Sequence, residues 1–192
     1  MTDSLTIIAL IAEIFERHGA EAYLGEAVTL SEHMLQTATL AEADGASDAL
    51  IAAALLHDIG HLTSEFGTYT PDDIVDRHHD SAGALVLSQA FPPAVSEAVR
   101  LHVAAKRYLC AVEPGYWASL SEASRHSLAL QGGPMDAKAI ASFRRESFFE
   151  AAVQIRRWDD RGKVAGLAPA TFDHFRPLLE RLAAYRPAPA SN

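Results

Sequence analysis

Cysteine is all but absent. Cys110 is the single one in 192 residues, which excludes an intrachain disulfide framework and fits a reducing compartment. Long apolar runs are missing too. Leu5 to Phe15 is interrupted by Glu13 and is too short to cross a bilayer, and Met1-Thr2-Asp3-Ser4 puts no basic region ahead of it, so neither a membrane span nor a secretory leader is expected. The expected location is cytoplasmic. Basic residues are scarce, with 16 Lys and Arg against 25 Asp and Glu and a net charge of −9, which argues against a nucleic-acid backbone as partner. A small anion stays possible, because a local group such as Lys106 and Arg107 can bind one phosphate-like charge on an acidic average surface.

The alternation of apolar and polar residues that marks strands is also lacking, and helical spacing takes its place. Leu5, Ile8, Ile11, Ala12 and Phe15 share one face, with Gly19 as a stop. Thr29-Leu30-Ser31-Glu32 is a capping box opening a helix that runs to Gly45. Ser47 or Asp48 caps the next, an alanine-rich helix ending at His57-Asp58. Thr70-Pro71-Asp72-Asp73 predicts a short helix start, and a further helix spans about Asp80 to Gln89. After the break at Phe91-Pro92-Pro93, Val95, Val99, His102 and Lys106 lie along one continuous helical face. Ser119–Leu130, Ala137–Phe143, about Ser147–Asp160 and Pro169–Tyr185 complete the pattern, with the breaker Gln131-Gly132-Gly133-Pro134 between two of them. With 49% hydrophobic residues the chain can bury a full core. The expectation is an all-α compact helical bundle, one domain over 1–185, with a disordered tail over 186–192.

The chemistry concentrates in His57-Asp58-Ile59-Gly60-His61 at the end of an apolar helix. Buried imidazole and carboxylate are costly to desolvate unless a cation offsets them. His33 lies 24 residues upstream, and His79, His102 and Asp159 follow downstream within helical segments. Six candidate ligands exceed the need of one zinc. Four imidazoles and two carboxylates suit two hexacoordinate first-row metals such as iron or manganese. Asp58 is the candidate bridge, since its two oxygens can reach both ions of a pair.

The order His33, His57-Asp58, His79, His102, Asp159 resembles the HD-domain superfamily of metal-dependent phosphohydrolases and oxygenases over roughly residues 17 to 163. Within it the chain is most similar to the mixed-valence di-iron phosphonate oxygenases. Tyr23-Leu24-Gly25-Glu26 ahead of Glu32-His33-Met34-Leu35-Gln36, the extra His61, and Lys106 after His102 carry that closer likeness. The resemblance implies an Fe(II)/Fe(III) pair, O2 as co-substrate, and a small organophosphonate cleaved at its carbon–phosphorus bond to phosphate and a glycine-type product. It implies that His33, His57, Asp58, His79, His102 and Asp159 bind metal, with Tyr23 on the open iron position until substrate displaces it. Lys106 and His61 would clamp the phosphonate as charged donors, Ser124 would add a hydroxyl, and Glu26 would face an ammonium, as in a 1-hydroxy-2-aminoethylphosphonate, N-methylated or not. A metal-dependent phosphohydrolase acting on a nucleotide or phosphate ester is the alternative.

Several assignments have rivals. Asp160 competes with Asp159, and either could instead pair with Arg156 or Arg157. His78 competes with His79, where the spacing from His79 to Gly83 resembles the family's third ligand element and selects His79. Ser121 and Ser127 compete with Ser124, and Lys106 could be an ordinary exposed lysine. His18, His126 and His174 fit no part of the pattern and are read as structural or surface residues. Oligomeric state is not set by any motif.

Overall fold

A computed structural model of the chain describes residues 4–18, 20, 23, 25–63 and 75–184. Among them there are eleven helices and no strand: α1 (Ser4–His18), α2 (Leu30–Ala43), α3 (Asp48–Leu56), α4 (Gly60–Thr63), α5 (His79–Leu87), α6 (Pro93–Val112), α7 (Tyr116–Ser119), α8 (Glu122–Leu130), α9 (Ala137–Phe143), α10 (Phe149–Arg161) and α11 (Phe172–Ala183). The fold is all-α, as the periodicity predicts. No described helix is long and apolar enough to cross a membrane.

Local chemistry sets most of the ends. Thr29 caps α2 in a full capping box with Glu32, Ser47 caps α3, and Asp136 caps α9; each side-chain oxygen accepts one of the backbone N–H groups a helix start leaves unpaired. Pro92 and Pro93 open α6, where the missing proline N–H costs nothing. Two expected boundaries move. The stretch expected to be helical from Ser119 is split, because Ser121 accepts from Ser124 N at 3.1 Å and caps a new helix there, leaving Ser119 at the end of the one-turn α7. The segment expected from Pro169 begins as helix only at Phe172, since Thr171 is the cap. The expected helix start at Thr70, the stop at Gly19, the tail and the His18 side chain lie outside the described residues.

The central helices are α3 and α6. Every residue from Ala52 to Leu56 is buried, so α3 is apolar all round, as befits a helix in the middle of a core. α2, α10 and α11 pack around it through Met34, Ile155, Trp158 and Phe175, and α1 packs on α11 and α2 through Ile8 and Ile11. The far half of α6 builds a second apolar cluster with α7, α8 and α9 around Leu101, Leu109, Tyr116, Leu128 and Phe143. Between the two clusters the core turns polar. His33, His57, Asp58, His61, His79, His102, Lys106, Arg156 and Asp159 are all buried there, which is rare for charged residues unless they are paired or hold a cation.

Candidate metal centre

The six ligand candidates meet at one point. His33 comes from the first turn of α2, His57 from the C-cap of α3, Asp58 from the turn after it, His79 from the first position of α5, His102 from the middle of α6 and Asp159 from the last turn of α10. Asp58 occupies the middle. Its Oδ2 lies 3.6 Å from His33 Nε2 and 3.4 Å from His57 Nε2, while its Oδ1 lies 3.4 Å from His79 Nε2 and 3.5 Å from His102 Nε2. Each oxygen thus faces its own pair of imidazoles. Asp159 joins the first pair, with Oδ1 at 3.3 Å from His33 Nε2.

The imidazoles are oriented to present lone pairs. His33 Nδ1 donates to the Gly162 carbonyl at 2.9 Å, His57 Nδ1 to Ala54 at 2.8 Å and His102 Nδ1 to Val99 at 2.7 Å. A carbonyl can only accept, so these rings carry their proton on Nδ1 and Nε2 is left as a ligand atom. Yet His33 Nε2 sits 3.1 Å from His57 Nε2, and His79 Nε2 3.1 Å from His102 Nε2. In the first pair, two facing lone pairs at that distance repel unless positive charge lies beside them; in the second, His79 Nδ1 has no partner, so a neutral His79 can donate from Nε2 to His102. An added proton is a poor candidate at His33, whose value burial depresses. At His57 burial acts in the same direction but the Asp58 charge outweighs it and raises the value, a sign that this spot favours positive charge. The residues present therefore fit divalent or trivalent cations in two adjacent sets that share Asp58. His33, His57 and Asp58 place ligand atoms within 4.8 Å of one another, as do Asp58, His61 and His79.

Burial opposes the Asp58 charge, but the ring of imidazoles outweighs it and holds the carboxyl well below its usual value. Burial also opposes the charge on Asp159, where Arg156 and Lys163 win. Asp160, its rival, is instead bonded to Tyr116 and Arg156 away from the cluster. His78 is exposed in the left-handed region at φ 52°, and this reversal before α5 turns His79 inward. His174 pairs with Glu42 on the surface.

Tyr23 donates its hydroxyl to Asp58 Oδ2 at 2.6 Å and stacks on His33 with centroids 4.5 Å apart. Burial first, and then the Asp58 and Asp159 charges, push the phenol well above its usual value.

A pocket opens onto the Asp58 side of the cluster, and Tyr23, Glu26, His61, Lys106 and Ser124 all line it. Glu26 Oε1 is buried without a hydrogen-bond partner. Lys106 is buried, not exposed, and donates to Ser127 Oγ at 2.7 Å. Burial and the Arg156 charge push its value down to about 7. His61 stacks on His79 at 4.0 Å, and burial pushes its value down to about 4.

Among the serines, Ser121 is spent as a cap, and Ser124 and Ser127 both face the pocket. Arg156, Lys163 and Gln131 line it as well. Sequence reasoning gave Arg156 only the part of an ion-pair partner, read Gln131 as part of a breaker and passed over Lys163. Gln131 has both amide atoms buried without partners. A signal for Arg156 was present, since it stands three residues before Asp159 on α10 and so shares its helical face; Lys163 lies past the helix end at Arg161.

An all-helical domain that gathers histidines and aspartates from separate helices around a candidate cation site is the class that fold and site define. The chain belongs to the HD domain family, which matches residues 30–140. It is 52% identical over 176 residues to a [1-hydroxy-2-(trimethylamino)ethyl]phosphonate dioxygenase (glycine-betaine-forming) of Leisingera caerulea, covering 92% of this chain and 90% of that one. It is 44% identical over 174 residues to a hydroxymethylphosphonate dioxygenase of Gimesia maris, covering 90% and 86%. An uncharacterized protein of Acanthamoeba polyphaga mimivirus is 33% identical over 175 residues, covering 88% and 78%.

Proposed function

We propose that this protein is an O2-dependent di-iron oxygenase that cleaves the carbon–phosphorus bond of a zwitterionic 1-hydroxyphosphonate. [1-Hydroxy-2-(trimethylamino)ethyl]phosphonate, named for the Leisingera relative, is the substrate that suits the pocket best. The observation that carries the reading is the polarity of that pocket. In its wall Lys106 forms no ion pair with a carboxylate among the described residues and donates only to Ser127, while Glu26 holds a buried oxygen without a hydrogen-bond partner. A molecule with a phosphonate at one end and a quaternary ammonium at the other meets both needs, because burying either charge unpaired is unfavourable.

His33, His57 and Asp159 would hold one ion and His79 and His102 the other, with Asp58 offering one oxygen to each. Bound iron would supply the redox chemistry that activates O2 toward the carbon bearing phosphorus. The overall reaction balances with one O2 and no external reductant: the hydroxylated carbon becomes the carboxylate of glycine betaine, and the phosphonate, gaining one oxygen, becomes phosphate.

The chain's own groups bind and orient. Lys106 and the Ser124 hydroxyl hold the phosphonate, with His61 adding a ring N–H. A dianion beside Lys106 offsets the cost of its buried charge and keeps the ammonium protonated. Glu26 fixes the other end, so that the carbon between them has one orientation at the cluster. Tyr23 covers Asp58 Oδ2 until substrate displaces its hydroxyl.

Oxygen uptake and phosphate release by iron-loaded protein test the reading. Equal consumption of O2 and formation of phosphate from the trimethylammonium substrate is expected, with none under nitrogen. Anaerobic turnover of a nucleotide or phosphate ester by manganese-loaded protein, with no O2-dependent reaction, would replace this reading with the phosphohydrolase one.

A further inference from the structure

Lys163 stands in the pocket wall without a part in the reaction just described. Its side chain is only 9% exposed, unusual for a lysine. The ammonium donates to Ser124 Oγ at 3.2 Å, lies 3.1 Å from Asp159 Oδ1, and faces the Tyr23 ring 5.8 Å from its centroid. The backbone beneath it is pinned on both sides. Gln36, buried on α2, donates Nε2 to the carbonyls of Val164 and Leu167 at 2.8 and 2.9 Å and accepts from Val164 N at 2.9 Å. Gly162 gives its carbonyl to His33 Nδ1 and lies so close to α2 that a Cβ there would meet Thr37 Oγ1 at 2.4 Å. A lysine held at both neighbours and buried along its length has a fixed target.

Besides Asp159, that target is Ser124. A hydroxyl has two lone pairs and one proton. Arg156 Nη2 donates to the Ser124 oxygen at 3.3 Å and Lys163 Nζ donates to it at 3.2 Å. With both lone pairs engaged, the proton is the only group Ser124 has left, and it is free for a ligand in the pocket. Ser127 is the contrast: it accepts from Lys106 and already donates its proton to the Ser124 carbonyl at 3.2 Å.

We propose that Lys163 is a positioning residue that, with Arg156, makes Ser124 a donor-only hydroxyl aimed at the anionic end of the substrate. The proposal rests on the phosphonate reading above. Lys163 needs no contact with the substrate itself, which separates its role from that of Lys106.

A double-mutant cycle read by anaerobic calorimetry tests this on iron-loaded protein with hydroxymethylphosphonate as the probe. Lys163→Met and Ser124→Ala should each weaken binding about tenfold, the worth of one hydrogen bond to a charged group. The double variant should be no weaker than either single one to within about twofold, because residues acting through one contact are not additive. Lys163→Arg should restore most of the affinity, and iron content should stay at the wild-type level throughout. If Lys163→Met does not fold, Lys163→Leu, which also lacks a donor, takes its place in the cycle. Losses that multiply in the double variant, unchanged affinity in the single one, or loss of iron with Lys163 would each overturn the proposal. Failure of the wild type to bind any phosphonate would overturn the functional reading, and this inference with it.

Discussion

Gly60 sits between Asp58 and His61 and bears on the metal cluster without contributing a side chain. A Cβ at this position would lie 1.9 Å from the carbonyl oxygen of His79 and 2.8 Å from the backbone nitrogen of Gly83. Both obstacles are backbone, and neither can rotate away. Opening the first gap to the 3.0 Å below which Cβ contacts essentially never fall requires α4 and α5 to part by about 1.1 Å. The start of α5 carries His79, whose Nε2 stands 3.4 Å from Asp58 Oδ1, so Gly60→Ala moves a candidate ligand away from its bridge. Metal ligation tolerates errors of about 0.2 Å, and a misplacement of about 1 Å in an active site costs roughly a hundredfold in rate. Overpacking of this kind also destabilises by about 1–3 kcal/mol, roughly 2–12 °C in melting temperature for a chain of this length. Metal analysis and thermal unfolding of the variant should show loss of about one ion per chain together with that drop. Gly83→Ala is the internal comparison: its Cβ would meet Gly60 N at 3.1 Å and Ile59 Cγ2 at 3.2 Å, contacts that a few tenths of an ångström relieve, so both losses should be smaller. Full metal content and unchanged turnover in Gly60→Ala would refute the argument that this backbone contact sets the place of His79.

Three other perturbations address the site directly. Asp58→Asn keeps the shape but removes the charge shared by both imidazole pairs, and metal analysis should find at least one ion lost; retention of both would remove Asp58 from the bridging position. Glu26→Gln should raise the KM for the trimethylammonium substrate about tenfold, the worth of one charge pair, while leaving that for hydroxymethylphosphonate, which has no ammonium, within about twofold; equal effects on both would exclude an ammonium contact. Lys106→Met should stabilise the metal-free protein, and more at pH 6 than at pH 9. The sign follows from the folded value near 7 against an ordinary 10.5: below about 7 both folded and unfolded chains hold the proton and the burial cost is complete, whereas between 7 and 10.5 the folded chain sheds it while the unfolded chain keeps it, so wild-type stability rises with pH. Denaturant unfolding of both proteins at the two pH values measures the difference, and a gain that is independent of pH would contradict a buried lysine that loses its proton.

How much of this was legible depends on how few residue types can do each job. Metal ligation draws on a short list of side chains, so six residues in the right order could be picked out from spacing and resemblance, and the structure brings all six together. The helix ends at Thr29, Ser47 and Pro93 were legible for the same reason, because capping and first-turn positions have narrow chemical preferences. The split at Ser119–Leu130 was not. Any of several serines there can cap, and only tertiary packing of Tyr116 and Leu120 into the second apolar cluster chooses Ser121. The close approach of Gly60 to His79 was likewise invisible, since it joins segments that are neighbours only after folding.

The pocket wall was the hardest part to read because its residues differ in partners, not in type. Lys106, Arg156 and Lys163 are three cations around one cavity, yet Arg156 is balanced by Asp159 and Asp160 and Lys163 by Asp159, while Lys106 forms no ion pair with a carboxylate among the described residues. Charge that is already balanced orients its neighbours; charge that is not balanced needs a ligand. By that criterion Lys106 and Glu26 should set what is bound, whereas Arg156 and Lys163 should set how it is held. A relative that kept the six ligands and Lys106 but lacked an acid at position 26 should therefore still take phosphonates, with its preference moved toward those that carry no ammonium.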